Sequence, residues 1–424
     1  MLKVMHHTCC GVDVHNKFVI ATIVSTTDTG IASYKTKRFS TFNDELNQLK
    51  AWLLENNCVE LCMESTGKYW IPVYNILEDK INITLANPKY IKAIKGKKTD
   101  KKDSIWIADL HRHGLAPGSF IPPHAVRKLR DICRYRTKLI SNKSSEKNRV
   151  QNSLTMCNLA IAHVLSDTFG KTAQRIIEYI LTCDTFDPKY CKTLIDGRVK
   201  ADHDEIIRSI VGYQLSVDQI TKIRFANEHL KFLDEALLNL DLKIDEFSVP
   251  FRHQIGLLST IPGVTHISAT RIISEIGIDM NIFHSDKHLC SWAGLVPQNN
   301  ESAGKKRSVK ISRAGVYLKP LLVQCANAAI KSNQDPYFKI KYQKIKKRRG
   351  HKKAIIAIAR MILTCAYHMI LNNQTFEPSD FNINSQTEPK INKTSSSEQQ
   401  LQSAIALLQA NGFSISNPCS IPVQ

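Results

Sequence analysis

No membrane-spanning stretch is expected in this 424-residue chain. The longest apolar run, near residues 354 to 370, is interrupted by Arg360 and His368. The opening Met1-Leu2-Lys3-Val4-Met5-His6-His7 has no apolar core of the kind a signal peptide carries. Cysteine is present at 12 positions, yet no Cys-x-x-Cys pair occurs and most neighbours are apolar. That scatter excludes a local zinc motif and a disulfide framework, and reads as small buried hydrophobes in a reducing compartment. There is no internal repeat. Acids are scarce beside bases, 38 against 58, leaving a formal net charge of +20. These absences lead to the expectation of a cytoplasmic protein with no membrane role.

What is abundant is positive charge. Such a field gathers phosphates and makes binding salt-dependent, so nucleic acid is the leading partner and an anionic membrane surface its competitor. The length, with 43% hydrophobic residues, allows two or three domains with their own cores. The organising stretch runs from Lys97 to Ala108. Asp100 and Asp103 stand three residues apart at an expected helix start, which puts both on one face. Lys97, Lys98, Lys101 and Lys102 surround them. Carboxylates alone repel phosphate, whereas carboxylates holding a divalent metal in a basic surround bring a nucleic-acid backbone to a hard cation. The plainer reading is a solvated helix start with Asp100 as its N-cap and the lysines facing water.

Residues 8 to 14, 18 to 24 and 32 to 39 read as three strands of a meander, with Asp13 inside the first between Val12 and Val14. A buried strand carboxylate is costly unless paired or on metal, although an Asp capping a turn at His15-Asn16 is the bland alternative. A helix over 44 to 54 is expected, with Ser40-Thr41 as cap candidates. A strand from Cys58 to Glu64 follows and ends in an acid and a small-residue turn, the usual place for site residues in α/β folds. A helix over 69 to 77, a strand over 83 to 86 and the lysine-rich approach to Asp100 complete the series. Strand, strand, strand, helix, strand, helix, strand, helix is the order of an α/β ribonuclease-H-like domain. Asp13, Glu64, Asp100 and Asp103 fall in that domain's acidic slots.

Residues 125 to 165 read as helical and basic. Arg127, Arg130 and Arg134 form either a face that tracks phosphates or a solvated stripe. A second helical segment over 202 to 247 has apolar residues at three and four spacing, fitting long paired helices of coiled-coil kind. Ile261-Pro262-Gly263-Val264 looks like a helix-hairpin-helix turn, which holds a phosphate on backbone amides or serves as a packing corner. Downstream, serine in a small-residue turn is backed by Lys305, Lys306, Arg307, Lys310 and Arg313. That arrangement suits attack on a phosphodiester, with cations to steady charge on the phosphorus oxygens, or else a plain phosphate-binding loop. Residues 318 to 331 and 352 to 371 read as core helices, separated by a basic run whose Lys346, Lys347, Arg348 and Arg349 are backbone-contact candidates. From Glu377 onward the composition is that of a disordered tail, with a short helix over 398 to 409.

Together these residues resemble the DEDD transposases of the IS one-ten insertion-sequence family, which look like recombinases guided by a bridge RNA. The likeness rests on Gly11-Val12-Asp13-Val14-His15, Met63-Glu64-Ser65-Thr66-Gly67, and Lys98-Thr99-Asp100 with Asp103. It continues through Ile261-Pro262-Gly263, Gly294-Leu295-Val296-Pro297, Ser302-Ala303-Gly304-Lys305 and Ile311-Ser312-Arg313-Ala314-Gly315. The resemblance implies a RuvC-like DEDD catalytic domain over 1–122, a helical coiled-coil region over 123–250 and a mostly α C-terminal transposase domain over 251–375. A tail, 376–424, follows. It implies Asp13, Glu64, Asp100 and Asp103 as the metal-binding tetrad, one or two Mg²⁺ or Mn²⁺ as cofactor, and Ser302 as nucleophile. Asn16 stands where lysine is common and Ala303 where glycine is usual; Ser308 and Ser312 are the nearby alternative hydroxyls.

The expected function is therefore cutting and rejoining of DNA by an insertion-sequence recombinase of the bacterial or archaeal nucleoid. Its partners would be donor and target DNA, a structured guide RNA and further copies of the chain as a dimer or tetramer. Two rivals are a structure-selective endonuclease resembling a Holliday-junction resolvase, and a non-catalytic nucleic-acid-binding protein.

Overall fold

Two strands buried along runs of consecutive residues and a third, mostly polar one fold into an antiparallel meander, β1 (Thr8–Val14), β2 (Phe18–Thr26) and β3 (Ala32–Ser40). The chain then crosses through α1 (Asn43–Glu55) to β4 (Glu60–Glu64), and through α2 (Trp70–Leu77) to β5 (Asn82–Ala86). The computed structural model describes residues 3–27, 29–65, 67–91, 99–297, 300–302, 305–308, 310–332 and 335–378. The sheet order is β3-β2-β1-β4-β5, with β2 antiparallel to its neighbours and β4 and β5 parallel to β1. Val12, Val14, Leu61 and Met63 turn to one face and pack with Leu46, Leu49, Leu53 and Leu77 of α1 and α2. The other face, carrying Cys9 and Cys62, is covered by α3 (Pro88–Ile91) and α4 (Asp100–Arg112) through Ile91, Ile107 and Ala108.

The approach of α4 to that face is set by one residue. A Cβ on Gly11 would stand 2.2 Å from Ala108 N and 2.3 Å from Ser104 O, so helix backbone rests on strand backbone. Thr22, the register partner of Gly11 on β2, hydrogen-bonds Ser104 Oγ at 2.7 Å across the same contact. Both hydroxyl residues are fully buried.

The cap expected from Ser40-Thr41 is replaced. Phe42 is the N-cap of α1 without a side-chain bond, and Glu45 reaches back to accept from Ser40 N at 2.6 Å. The expected helix over 125 to 165 is α5 (His124–Met156), and a separate short α6 (Ile161–Val164) follows. The break is a left-handed Asn158, with Leu159 N donating to Leu154 O at 2.9 Å. The expected helix over 202 to 247 is likewise two, α9 (His203–Arg208) and α10 (Val217–Ser248), parted near Gly212 at φ +86°. Between α6 and α9 lie α7 (Lys171–Thr182) and α8 (Pro188–Thr193), which build a small helical core with Ile176, Ile180, Ile206 and Ile223. The helices α5 and α10 pack antiparallel, joined by Arg136 to Asp241, Lys143 to Asp234 and His229 to Glu146.

By packing, the chain divides into two units, Met1–Arg252 with Thr270–His284, and His253–Ala269 with the chain from Ser285. The turn at 261–264 separates α11 (Arg252–Ser259) from α12 (His266–Ile276). In the second unit, α13 (Asp286–Trp292) precedes the hairpin β6 (Asn300–Ser302) and β7 (Lys305–Ser308). Then come α14 (Leu318–Ala329), α15 (Tyr337–Arg349) and α16 (His351–Asn372). The basic run at 344–353 is not a separating segment: it forms the last turn of α15 and the first of α16, hinged at Gly350 with φ +80°. By length and composition α16 could cross a membrane, but half of its apolar window is buried against its own unit, where it packs on α13, α14 and α15. The tail beyond 378, with the helix expected at 398 to 409, lies outside the described residues, as do Lys97 and Lys98. Eleven described cysteines are free, and burial drives the thiols of Cys9, Cys58 and Cys62 up to about 12.

A methyl group at Gly11 has no space to enter without lifting α4. Gly11→Ala is expected to lower unfolding stability by about 1–3 kcal/mol, read from denaturant midpoints. A variant as stable as the parent would mean that the helix does not rest on the strand.

Candidate metal centre

Asp13 is the penultimate residue of β1, on the face opposite Val12 and Val14, and so looks toward α4. The first residue beyond the strand, His15, is fixed by its N–H donating to Phe18 O at 2.9 Å and by its ring lying 4.6 Å from that of Phe18. At the start of α4 the N-cap is Thr99 rather than Asp100: Thr99 Oγ1 accepts from Lys102 N at 3.3 Å. Threonine takes the capping role because it stands at the last extended position, φ −139° and ψ 145°, while Asp100 is already helical. The Asp100 carboxylate is thereby released to face Asp13.

These side chains converge. His15 Nε2 lies 3.1 Å from Asp13 Oδ2 and 3.6 Å from Asp100 Oδ2, and the three groups' ligand atoms are all within 4.8 Å of one another. The Asp13 side chain is 16% exposed and that of Asp100 47%. Burial, reinforced by repulsion from Asp100 and Asp103 and opposed by His15, holds the Asp13 carboxyl above the usual carboxylate range. Glu64 is the last residue of β4. Its neighbour Met63 pairs with Val12, so one step further along the parallel register Glu64 stands beside Asp13.

The distances join Asp13 and Asp100, Asp103 acts on Asp13 electrostatically, and Glu64 is brought alongside by strand register. Oxygen donors of this kind suit Mg²⁺ or Mn²⁺, and a carboxyl strained by burial and by like charge is one that a cation would relieve, so the residues present fit a divalent metal. Sequence reasoning missed His15 as a member. The available signal was the Asp-x-His spacing, which in extended chain places both side chains on one side.

The candidate nucleic-acid contacts fall into two groups. Arg127 is held by Glu78 at 2.6 and 3.0 Å, and Arg130 donates to Ser274 O and Glu275 O at 2.9 and 2.6 Å. Arg134 is bidentate to Glu275 at 2.8 Å for both bonds, so all three arginines already serve carboxylates or carbonyls of their own unit. Lys101, Lys102, Lys310, Arg313 and Lys346, Lys347, Arg348 and Arg349 are exposed. In the second unit Gly263 rests on α14, where a Cβ would meet Ala329 N at 2.4 Å. Ser302 ends β6, its backbone paired with Lys305, while Glu301 pairs with Lys306; Arg307 follows in β7. Their side chains, with Ala303 and Gly304, lie outside the described residues. The base of this hairpin is clamped by the Pro297–Ile311 bridge and by Gly294 and Gly315, both left-handed and each pressed on the backbone beside the other.

Two family models match the chain, one described as "Transposase" over residues 10–158 and one as "Transposase IS116/IS110/IS902 family" over residues 256–343. Among curated proteins, a "Pilin gene-inverting protein" of Moraxella bovis is 28% identical over 166 residues, which is 36% of this chain and 49% of that protein. A "Transposase for insertion sequence element IS1111A" of Coxiella burnetii is 27% identical over 156 residues, 35% of this chain and 43% of that protein. The chain thus spans about half the length, or less, of these relatives.

Because its pKa is raised on folding, Asp13 contributes stability that is present below the ordinary value of 3.8 and lost as pH rises through the elevated folded value. Removing that carboxylate with Asp13→Asn should leave the metal-free protein at least as stable at neutral pH. In the parent, Mg²⁺ well above its dissociation constant should add about 2 kcal/mol, and the variant should lose that gain. Denaturant titrations with and without Mg²⁺ check this; equal gains in both proteins would remove Asp13 from the centre.

Proposed function

Because the chain belongs to the IS116/IS110/IS902 family of transposases, we propose that it is a metal-dependent DNA recombinase that cuts and rejoins strands at an insertion sequence. The observation that carries this reading is the meeting of Asp13 with Asp100, 87 positions later in the chain, at the open end of β1. Asp103 one helical turn on and Glu64 in the adjoining strand complete a tetrad. The sheet order, with one antiparallel strand inside a mixed sheet, supports a ribonuclease-H-like, RuvC-like domain. Relatives named for inverting a pilin gene and for moving an insertion sequence point the same way.

Asp13, Glu64, Asp100 and Asp103 would hold one or two Mg²⁺, or Mn²⁺ in their place. When bound there, the ion supplies Lewis-acid polarisation of the scissile phosphate. The chain's own residues do the rest. His15 spans Asp13 and Asp100 and fixes their separation. Exposed Lys101 and Lys102 draw the phosphate backbone to the start of α4. Ser302 supplies the nucleophile: its Oγ–P bond forms as the P–O bond to the departing strand breaks, and the hydroxyl proton leaves to solvent or to a neighbouring base. One phosphoester replaces another, so bond energy is retained for rejoining. Donor and target DNA, chosen with a structured guide RNA, are the substrates. Recombination of two duplexes requires more than one copy of the chain. Exposed Phe225, Phe232, Leu238 and Leu242 on α10 support a dimer or tetramer built through the long helices. Such a protein would work in the cytoplasm, on the nucleoid.

A denaturing gel of full-length protein with labelled DNA, guide RNA and Mg²⁺ tests the proposal. A retained protein–DNA adduct is expected, and Ser302→Ala should reduce it by about a thousandfold or more while sparing DNA and RNA binding. Free nicked ends without an adduct would instead favour a resolvase-like nuclease. Full activity in Asp103→Asn would take Asp103 out of the centre, and neither adduct nor nicked ends from the parent would leave a binding protein without chemistry.

A further inference from the structure

At the opposite ends of α4 and β4 from the acidic cluster, a second set of metal-ligating side chains converges. His6 Nδ1 and His111 Nε2 each stand 4.0 Å from Glu60 Oε2, and the three ligand atoms lie within 4.8 Å of one another. Glu60 opens the strand that Glu64 closes, about 13 Å away. His111 lies near the end of the helix that Asp100 begins, about 16 Å away. The two sets are therefore distinct.

Each member is held by backbone that is already ordered. Met5 N and His6 N donate to Arg112 O at 2.8 and 3.2 Å, which pins the N-terminal segment to the end of α4. Glu60 Oε1 accepts from Asn82 Nδ2 at 2.9 Å, leaving Oε2 toward the two imidazoles. The adjacent Arg112 guanidinium is paired with Asp109 at 3.2 Å.

The decisive observation is at His111, which is 4% exposed and whose Nε2 has no hydrogen-bond partner among the described residues. The 4.0 Å to Glu60 is too long for a hydrogen bond. Stacking on His6, with centroids 4.6 Å apart and planes at 22°, packs the ring but satisfies no nitrogen. Buried polar atoms are rarely left without a partner, so this one points to a group that would occupy the space.

We propose that His6, Glu60 and His111 form a site for a first-row transition cation of the Zn²⁺ class, with the fourth position taken by water. Two imidazoles and one carboxylate are a donor set for zinc rather than for magnesium. Around a tetrahedral ion with bonds of about 2.1 Å, ligand atoms stand about 3.4 Å apart. The 4.0 Å separations thus need only a small inward movement, which the solvent-reaching His6 and Glu60 can make. The bound ion gives His111 Nε2 its partner and ties the N-terminal segment, β4 and α4 together.

Full-length protein, stripped by chelator, is titrated with Co²⁺ and followed by its visible d–d absorption. A single tight equivalent with the strong band of a four- or five-coordinate ion is expected, displaced by Zn²⁺ and not by excess Mg²⁺. His6→Gln and Glu60→Gln, chosen because both side chains reach solvent and leave the core intact, should each weaken Co²⁺ binding by at least about tenfold. Asp13→Asn should leave it unchanged. Absence of the band, undiminished affinity in His6→Gln, or loss of the band in Asp13→Asn would overturn the assignment.

Discussion

A helix can lie on a strand only as closely as the groups between them permit, and at Gly11 nothing intervenes. With Ala108 N and Ser104 O in the space a Cβ would need, α4 is pressed on β1 backbone to backbone, and the buried Thr22–Ser104 bond fixes its slide. From that contact the rest follows by dead reckoning. Asp13 stands two residues beyond Gly11, about 7 Å along the strand. Asp100 stands four residues before Ser104, about 6 Å along the helix. Both displacements run toward the same end of β1, so the two carboxylates arrive together. A larger residue at position 11 would separate helix and strand while leaving every acid in the sequence unchanged.

That convergence has an electrostatic consequence. Carboxylates gathered in a partly dry place repel one another, and Asp13, the least exposed of the pair with Asp100, bears the strain as a raised pKa. The arginines of α5 present the reverse case. Arg130 and Arg134 converge on Glu275, a carboxylate only 6% exposed, and breaking such a buried pair costs about 3–5 kcal/mol, against at most about 1 kcal/mol for a surface pair. Arg130 is buried enough that its pKa falls to about 10, with Glu275 opposing the shift. These magnitudes make the α5 arginines struts within the first unit. The field available to a phosphate backbone comes from the exposed lysines and arginines at the start of α4 and along the last turn of α15.

What could be read from the chain beforehand was whatever local pattern dictates. An apolar run gave the limits of β1 to the residue, and the order of strands and helices matches the sheet. What could not be read depended on tertiary coincidence. Nothing in Lys98-Thr99-Asp100 says which polar residue caps the helix; φ and ψ at Thr99 decide it. Nothing near Arg134 announces Glu275, 141 positions away. Gly212 and Asn158 broke helices that their apolar spacing would have continued, because a left-handed residue ends a helix whatever its neighbours favour. His6, Glu60 and His111 are separated by strands and helices, so no spacing rule for metal ligands could have joined them.

The same helix that brings acids to one end of the sheet brings an imidazole to the other, and its dipole distinguishes the two ends. The N-terminus of α4 carries Asp100 and Asp103 in its first turn, where the positive end of the helix dipole meets their carboxylates. The C-terminus presents carbonyls and favours positive charge, where His111 and Arg112 occupy the last turn. A hard cation at the first end would be drawn by carboxylates in spite of the dipole, and would have to bind through several of them at once. A softer cation at the second end would be drawn by the two imidazoles with the dipole in its favour, and would need only Glu60 to balance part of its charge. With both proposed sites filled, donor chemistry and helix polarity would sort different metals to opposite ends of one element, about 16 Å apart, so that occupancy of one end need not compete with occupancy of the other.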